Sequence, residues 1–215
     1  MELKEAIKNR RSIRNYQPDK PVAHDLIADI IDTARYAPSS GNLQNWKVII
    51  ISDAEKKDRL ATACLRQKWM VNASAILVVC NNIADVKRLY KERGEFLYSI
   101  QNIAGFTQNI LLTAHSLGLA TCWVGAFDPD AVKRVLRIPE GVEPEAIVAL
   151  GYGIEEVDVP PRKTVDQICF FEVWGSGEKG FGAFPLEKHT EKVGQVQQKS
   201  KSLFGKIFSK FSKKE

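Results

Sequence analysis

The sequence predicts an α+β fold, a mixed sheet wrapped by helices with one long helix at its centre. Three observations predict it. Short β-branched apolar runs recur at 46–52, 75–81 and 145–151, a helical period runs unbroken over 95–117, and these elements interleave without the strand–helix–strand alternation of a doubly wound parallel sheet.

Each element follows from local pattern. Leu3 and Ile7, four apart, set a short helix ending near Asn9, and Val22, Leu26, Ile27, Ile30, Ile31 and Ala34 set a second that stops before Pro38. Residues 38–45, rich in Pro, Ser, Gly and Asn, form a shaped loop entering a strand from Trp46 to Ser52. A buried strand covers Ala75 to Asn81. Phe96, Leu97, Ile100, Ile103, Ala104, Ile110, Leu111 and Ala114 form the apolar face of the long helix, which Gly118 stops. Thr121 to Val124 is extended, and Asp128 before Pro129 caps a helix to about Leu136. Glu145 to Gly151 is a strand, Val159-Pro-Pro-Arg162 an extended connection, and Cys169 to Val173 a final short strand.

A chain of 215 residues, 44% hydrophobic and 27% charged, has the composition of one soluble domain with a substantial core. Its net charge of +5 is carried entirely by residues 187–215, where eight lysines face three glutamates, so the body is neutral and nucleic acid is not an expected partner. Cys64, Cys80, Cys122 and Cys169 lack C-x-x-C spacing and sit in apolar stretches, which predicts buried reduced thiols. His24, His115 and His189 are dispersed, so no metal site is expected. A charged N-terminus and the lack of an apolar run near about 20 residues predict a cytoplasmic protein.

Two clusters carry chemistry. Arg10, Arg11, Ser12 and Arg14 place three guanidiniums and a hydroxyl within five residues, a set suited to bidentate recognition of phosphate. Pro38, Ser39, Ser40, Gly41, Asn42 and Gln44 combine close backbone approach with mixed donor and acceptor edges, as a flat heterocycle requires. Gly125 in Trp123-Val-Gly-Ala-Phe127 and Arg162 after two prolines join them. No G-x-G-x-x-G follows a strand and no Walker A sequence exists, so a separate dinucleotide site is not expected.

Together, R-R-S-x-R, P-S-x-x-N-x-Q-x-W about 25 residues on, and P-P-R-K resemble the nitroreductase superfamily over roughly residues 1 to 174. The resemblance implies an α+β homodimer with a mainly antiparallel sheet, exchanged terminal segments and two FMN sites at the interface. It implies that Arg10, Arg11, Ser12, Arg14 and Arg162 hold the FMN phosphate and ribityl chain. Pro38, Ser39, Ser40 and Asn42 would lie against the ring from the partner subunit, with Gly125 and Gln67 near the flavin edge. The implied activity is oxidation of NAD(P)H and reduction of a small acceptor, nitroaromatic or quinone, by a ping-pong route through flavin N5 that needs no catalytic side chain. A reductive dehalogenase, a flavin-destroying synthase and a non-catalytic FMN-binding module share these features. The sequence departs from the family in placing Asn45 where a proline precedes Trp46, and acceptor choice is expected to reside in a loop around residues 82 to 96.

Beyond the domain, residues 175–202 read as a flexible linker and 203–215 as a basic amphipathic segment. Leu203, Phe204, Ile207, Phe208 and Phe211 form one apolar stripe among lysines. Such a helix suits an anionic membrane surface, and it equally suits docking on its own dimer.

Overall fold

The computed structural model describes residues 1–177, so the expected linker and amphipathic tail lie almost wholly outside the described residues. The chain divides into two units, Met1–Val159 and Pro160–Glu215.

The first unit is a four-stranded sheet between two helical layers. In chain order its elements are α1 (Leu3–Asn9), α2 (His24–Ala34), β1 (Trp46–Ile51), α3 (Ala54–Ala63), β2 (Ala75–Asn82), α4 (Ala84–Arg93), α5 (Ser99–Ser116), β3 (Ala120–Val124), α6 (Pro129–Leu136) and β4 (Val142–Gly151). The sheet order is β1-β2-β4-β3, and every strand pair is antiparallel. The mixed character expected of the sheet survives in an isolated parallel bridge, Ser12 to Thr121.

Alternation along the central strands sorts side chains between the layers. Leu77, Val79, Ala146, Val148 and Leu150 pack with Ile27 and Ile30 of α2 and Ile103, Phe106 and Ile110 of α5. Ile76, Val78, Cys80, Val124 and Ile147 pack on the other face with Leu60 of α3 and Val132 of α6. Trp46 stacks on Phe106, ring centroids 4.9 Å apart, which fixes the start of β1 against α5. The Asp128 carboxylate accepts from the Ala131 N–H at 3.1 Å with Pro129 at the first helical position, as the capping pattern demanded.

Three expectations are corrected. The long helix begins at Ser99, because Gly94–Tyr98 forms a π turn. Gly94 requires that turn's close packing: a Cβ there would stand 2.3 Å from the Val86 carbonyl oxygen. The extra residue of the π turn shifts the helix phase, so Phe96 and Ile100 are exposed while Ser99 and Asn102 are buried. Residues 84–93 of the expected specificity loop are helix α4, which buries only Val86 and so gives little apolar periodicity. Cys169–Val173 is not a strand. Its backbone closes local turns, Cys169 N–H to Val165 O at 3.0 Å and Phe171 N–H to Ser176 O at 2.7 Å, and Glu172 takes a left-handed φ of 62°.

Cys64, Cys80 and Cys122 are buried free thiols, as expected, and Cys169 is half-buried and free. Burial pushes the Cys64 thiol up to about 12 and Cys80 up to about 11, so both stay protonated at neutral pH. No helix among the described residues is long and apolar enough to cross a membrane.

Candidate functional site

The arginine turn follows α1 and is pinned to the β3 edge of the sheet. Ile13 N–H donates to Thr121 O at 3.0 Å, and Gln17 N–H donates to Tyr152 O at 2.8 Å. Tyr16 is buried between these anchors and donates its hydroxyl to Ile13 O at 2.6 Å, with Ala149 O at 3.3 Å. Burial raises its phenol far above the ordinary range, so it remains a donor at all working pH. The Glu155 carboxylate accepts from the backbone N–H of Arg14 at 2.5 Å and of Asn15 at 3.1 Å, closing the turn from the end of β4.

These anchors gather the charged groups. The Cys122 thiol donates to the Trp123 carbonyl at 3.8 Å, and burial raises its pKa against the opposing pull of Arg14 and Arg10. The Arg14 guanidinium lies over the Trp69 ring, 5.8 Å from its centroid. Beside the turn a cleft of about 490 Å³ is lined by Arg10, Arg11, His115, Thr121, Gly153 and Glu155, among others. Arg11 Nε, His115 Nε2 and Thr121 Oγ1 are buried without a hydrogen-bond partner, and all three residues line this one cleft. Buried polar atoms are rarely left unpaired, so three around one cleft describe a space shaped for a polar ligand.

Gln67, away from this cleft, donates its Nε2 to the carbonyl of Ala126, the residue after Gly125, at 3.1 Å. A Cβ added at Gly125 would meet nothing within 4 Å, so the position is open. Ser12 pairs beside Thr121 and Gly125 follows Val124, so the two stand roughly 13 Å apart along edge strand β3.

The serine loop lies elsewhere. Gly41, Asn42 and Gln44 all take left-handed φ values, 58°, 56° and 45°, a conformation that glycine adopts freely, asparagine tolerates and glutamine adopts only under strain. Ser39 Oγ accepts from Gln44 N–H at 3.1 Å, and Gln44 Nε2 donates to Asn42 Oδ1 at 3.1 Å. Ser40 N–H donates to Asn102 Oδ1 of α5 at 3.0 Å, while Pro38 is exposed. The loop feeds Trp46, which pairs through Asn81 to Glu143 at one end of β4, whereas Thr121 pairs with Leu150 at the other end. Three strand spacings and seven residues of rise put these corners on the order of 25 Å apart. One chain therefore does not bring its own serine loop to its own arginine turn. Arg162 belongs to the second unit, where its guanidinium donates to the carbonyl oxygens of Pro160 and Pro161 at 3.4 and 3.3 Å.

A buried polar network that the sequence reading did not single out holds the serine loop. Asn45 Nδ2 donates to Asn81 Oδ1 at 2.7 Å and Asn102 Nδ2 donates to Asn45 Oδ1 at 2.7 Å. Asn81 Nδ2 donates to Ser99 Oγ at 3.1 Å and to Glu145 Oε1 at 3.0 Å. The family departure at Asn45 is thus built into the core as a donor and acceptor. The signal was an asparagine at the end of an apolar strand and another on the buried face of the long helix.

Comparison with known proteins agrees with this architecture. The Nitroreductase family model matches residues 7–69 and 62–152. A provisional NADH dehydrogenase/NAD(P)H nitroreductase of Archaeoglobus fulgidus is 35% identical over 158 residues, covering 71% of this chain and 86% of that protein. An FMN reductase (NADPH) of Bacillus subtilis strain 168 is 29% identical over 171 residues, covering 74% and 68%. Among solved structures, NfrA2 of B. megaterium has the same fold, with a TM-score of 0.75 at 23% identity and coverage of 94% of this chain and 85% of that one. An FMN-dependent nitroreductase of Clostridium difficile R20291 aligns with a TM-score of 0.62 at 25% identity, covering 73% and 90%. The chain belongs to the nitroreductase family of oxidoreductases.

Proposed function

We infer that the protein binds FMN at the arginine turn and oxidises NAD(P)H to reduce a small organic acceptor, a nitroaromatic or a quinone, in two half-reactions at one shared site. The observation that carries this reading is the set of orphaned atoms around the cleft beside Arg10 and Arg11. The lining fits the group: an anionic phosphate accepts from guanidinium and hydroxyl donors, and Arg10, Arg11 and Thr121 all line the cleft. When bound, the flavin supplies the hydride chemistry, taking two electrons from the nicotinamide and giving them to the acceptor.

The chain's residues hold and orient. Arg10, Arg11, Ser12, Arg14 and Arg162 would take the phosphate and ribityl chain, and Glu155 fixes the backbone of the arginine turn by accepting from two N–H donors. Gln67 and Gly125 lie at the ring end, where a missing side chain leaves room for a flat ligand. Pro38, Ser39, Ser40 and Asn42 complete the site from a second copy of the chain, a homodimer supported by the separation of the two clusters across the sheet. The basic segment 203–215 adds attraction to an anionic membrane surface.

Replacing Arg14 and Arg162 together by alanine tests the phosphate assignment. Each charged hydrogen bond contributes about 1.5 to 3 kcal/mol, so flavin retained through gel filtration should fall at least tenfold. Undiminished retention in the double variant would refute it.

A further inference from the structure

We propose that His115, in the last turn of α5, is a further phosphate-binding residue of the cleft beside the arginine turn, and that it takes up a proton as the phosphate enters. The proposal rests on the reading of that cleft as the flavin phosphate site. His115, Arg10, Arg11 and Thr121 line it together, and all four belong to the first unit. His115 Nε2 is enclosed without a hydrogen-bond partner, and Thr121, 1% exposed, leaves its Oγ1 unpaired in the same lining. Enclosed polar atoms without partners are costly, so a ligand oxygen that meets them relieves the cleft.

The surrounding charges set the state of the imidazole. Arg10 and Arg11 line the cleft from the turn after α1, the Met1 residue with its amino group from the chain start, and Glu155 and Glu156 from the segment after β4. The two acids are placed to do little against the cations. Glu155 Oε1 accepts from the Arg14 and Asn15 N–H groups at 2.5 and 3.1 Å, and Glu156 is exposed. Burial, then Arg10 and Arg11, hold the His115 pKa below the ordinary 6.5, so in ligand-free protein the ring is mostly neutral at about pH 7.

A phosphate reverses the balance. Its charge offsets the two guanidiniums, its oxygens accept from the imidazole N–H, and the C-terminal end of α5 favours a cation at this position. His115 then gains a proton from solvent, and the phosphate gains another cationic donor. A lysine or arginine in its place would repel Arg10 and Arg11 in the ligand-free protein, whereas an imidazole sheds its charge until an anion compensates it.

Proton–nitrogen correlation spectra of the imidazole rings, titrated with acid on the ligand-free and FMN-loaded full chain, test the proposal, with His115 identified by its loss in His115→Gln. Loading should move the His115 midpoint up by about one pH unit or more, as an opposite charge in hydrogen-bond reach does. The ring takes its proton more readily in the complex, so affinity rises as pH falls from the bound midpoint to the free one. The ratio of parent to His115→Gln affinity for FMN, followed by flavin fluorescence, should therefore rise about fivefold from pH 8 to pH 6, a ratio in which titration of the FMN phosphate itself cancels. Glutamine keeps an N–H donor without the titration, so the variant should still fold and bind. Riboflavin, which lacks the phosphate, should show no such rise. An unmoved His115 midpoint, a constant ratio, or an equal rise with riboflavin would overturn the proposal while leaving flavin binding in place. A chain that binds no FMN at any pH would overturn it together with the reading on which it rests.

Discussion

Ser40 hands its backbone N–H to Asn102, and Asn102 hands its amide to Asn45, so the serine loop's position is set from the core outward. Asn102→Ala strands the Ser40 N–H and the Asn45 oxygen, each costing about 1 to 3 kcal/mol. Urea unfolding should show a loss of about 3 kcal/mol, with the loop's contribution to flavin retention lost as well. His115 gives a second residue-scale expectation. Burial, then the Arg10 and Arg11 cations, hold its pKa below the ordinary 6.5, so the folded chain favours neutral imidazole. That depressed value contributes stability that is complete above about pH 6.5 and is lost as pH falls through it toward the lower folded value. Ligand-free protein should therefore lose thermal stability between about pH 7 and pH 5, and His115→Asn should flatten that slope.

At the scale of elements, strands were legible because unbroken β-branched runs buried on both faces have few other readings, and α6 because Asp128-Pro129 marks its start without ambiguity. The phase of α5 was not legible. Its apolar residues satisfy a helical period whether the helix starts at Glu95 or after a π turn, and the choice is made by Gly94 against the Val86 carbonyl, a tertiary contact. Helices α3 and α4 are mostly polar and escaped for want of a stripe, although Asp53 is a sound cap. The strand expected at Cys169–Val173 has no place in the sheet of its own chain, while β1 presents an outer edge with Ile50 exposed. Exchange of this segment onto the edge of a second copy would satisfy both. Amide hydrogen exchange should then show residues 169–173 protected in the homodimer, whereas rapid exchange at every protein concentration would exclude the pairing.

For the whole molecule, the two clusters stand out in the sequence as motifs, and only the family resemblance, not the motifs themselves, implied that they come from different subunits. Motif residues 30 positions apart give no sign that the sheet carries them to opposite corners. On the proposed reading, Arg10 and Ser40 serve one cofactor only if two chains meet, which would couple cofactor binding to association. A neutral body would leave such an association to shape and apolar contact rather than to net charge. The most direct measurement is the visible spectrum and released cofactor of the purified full chain, taken with its mass in solution and its oxidation of NAD(P)H in the presence of a quinone. The account predicts a yellow homodimer that releases about one FMN per chain on denaturation and turns over nicotinamide only when an acceptor is present. A colourless monomer that takes up no FMN when it is supplied, and leaves NADH and NADPH unoxidised, would contradict it.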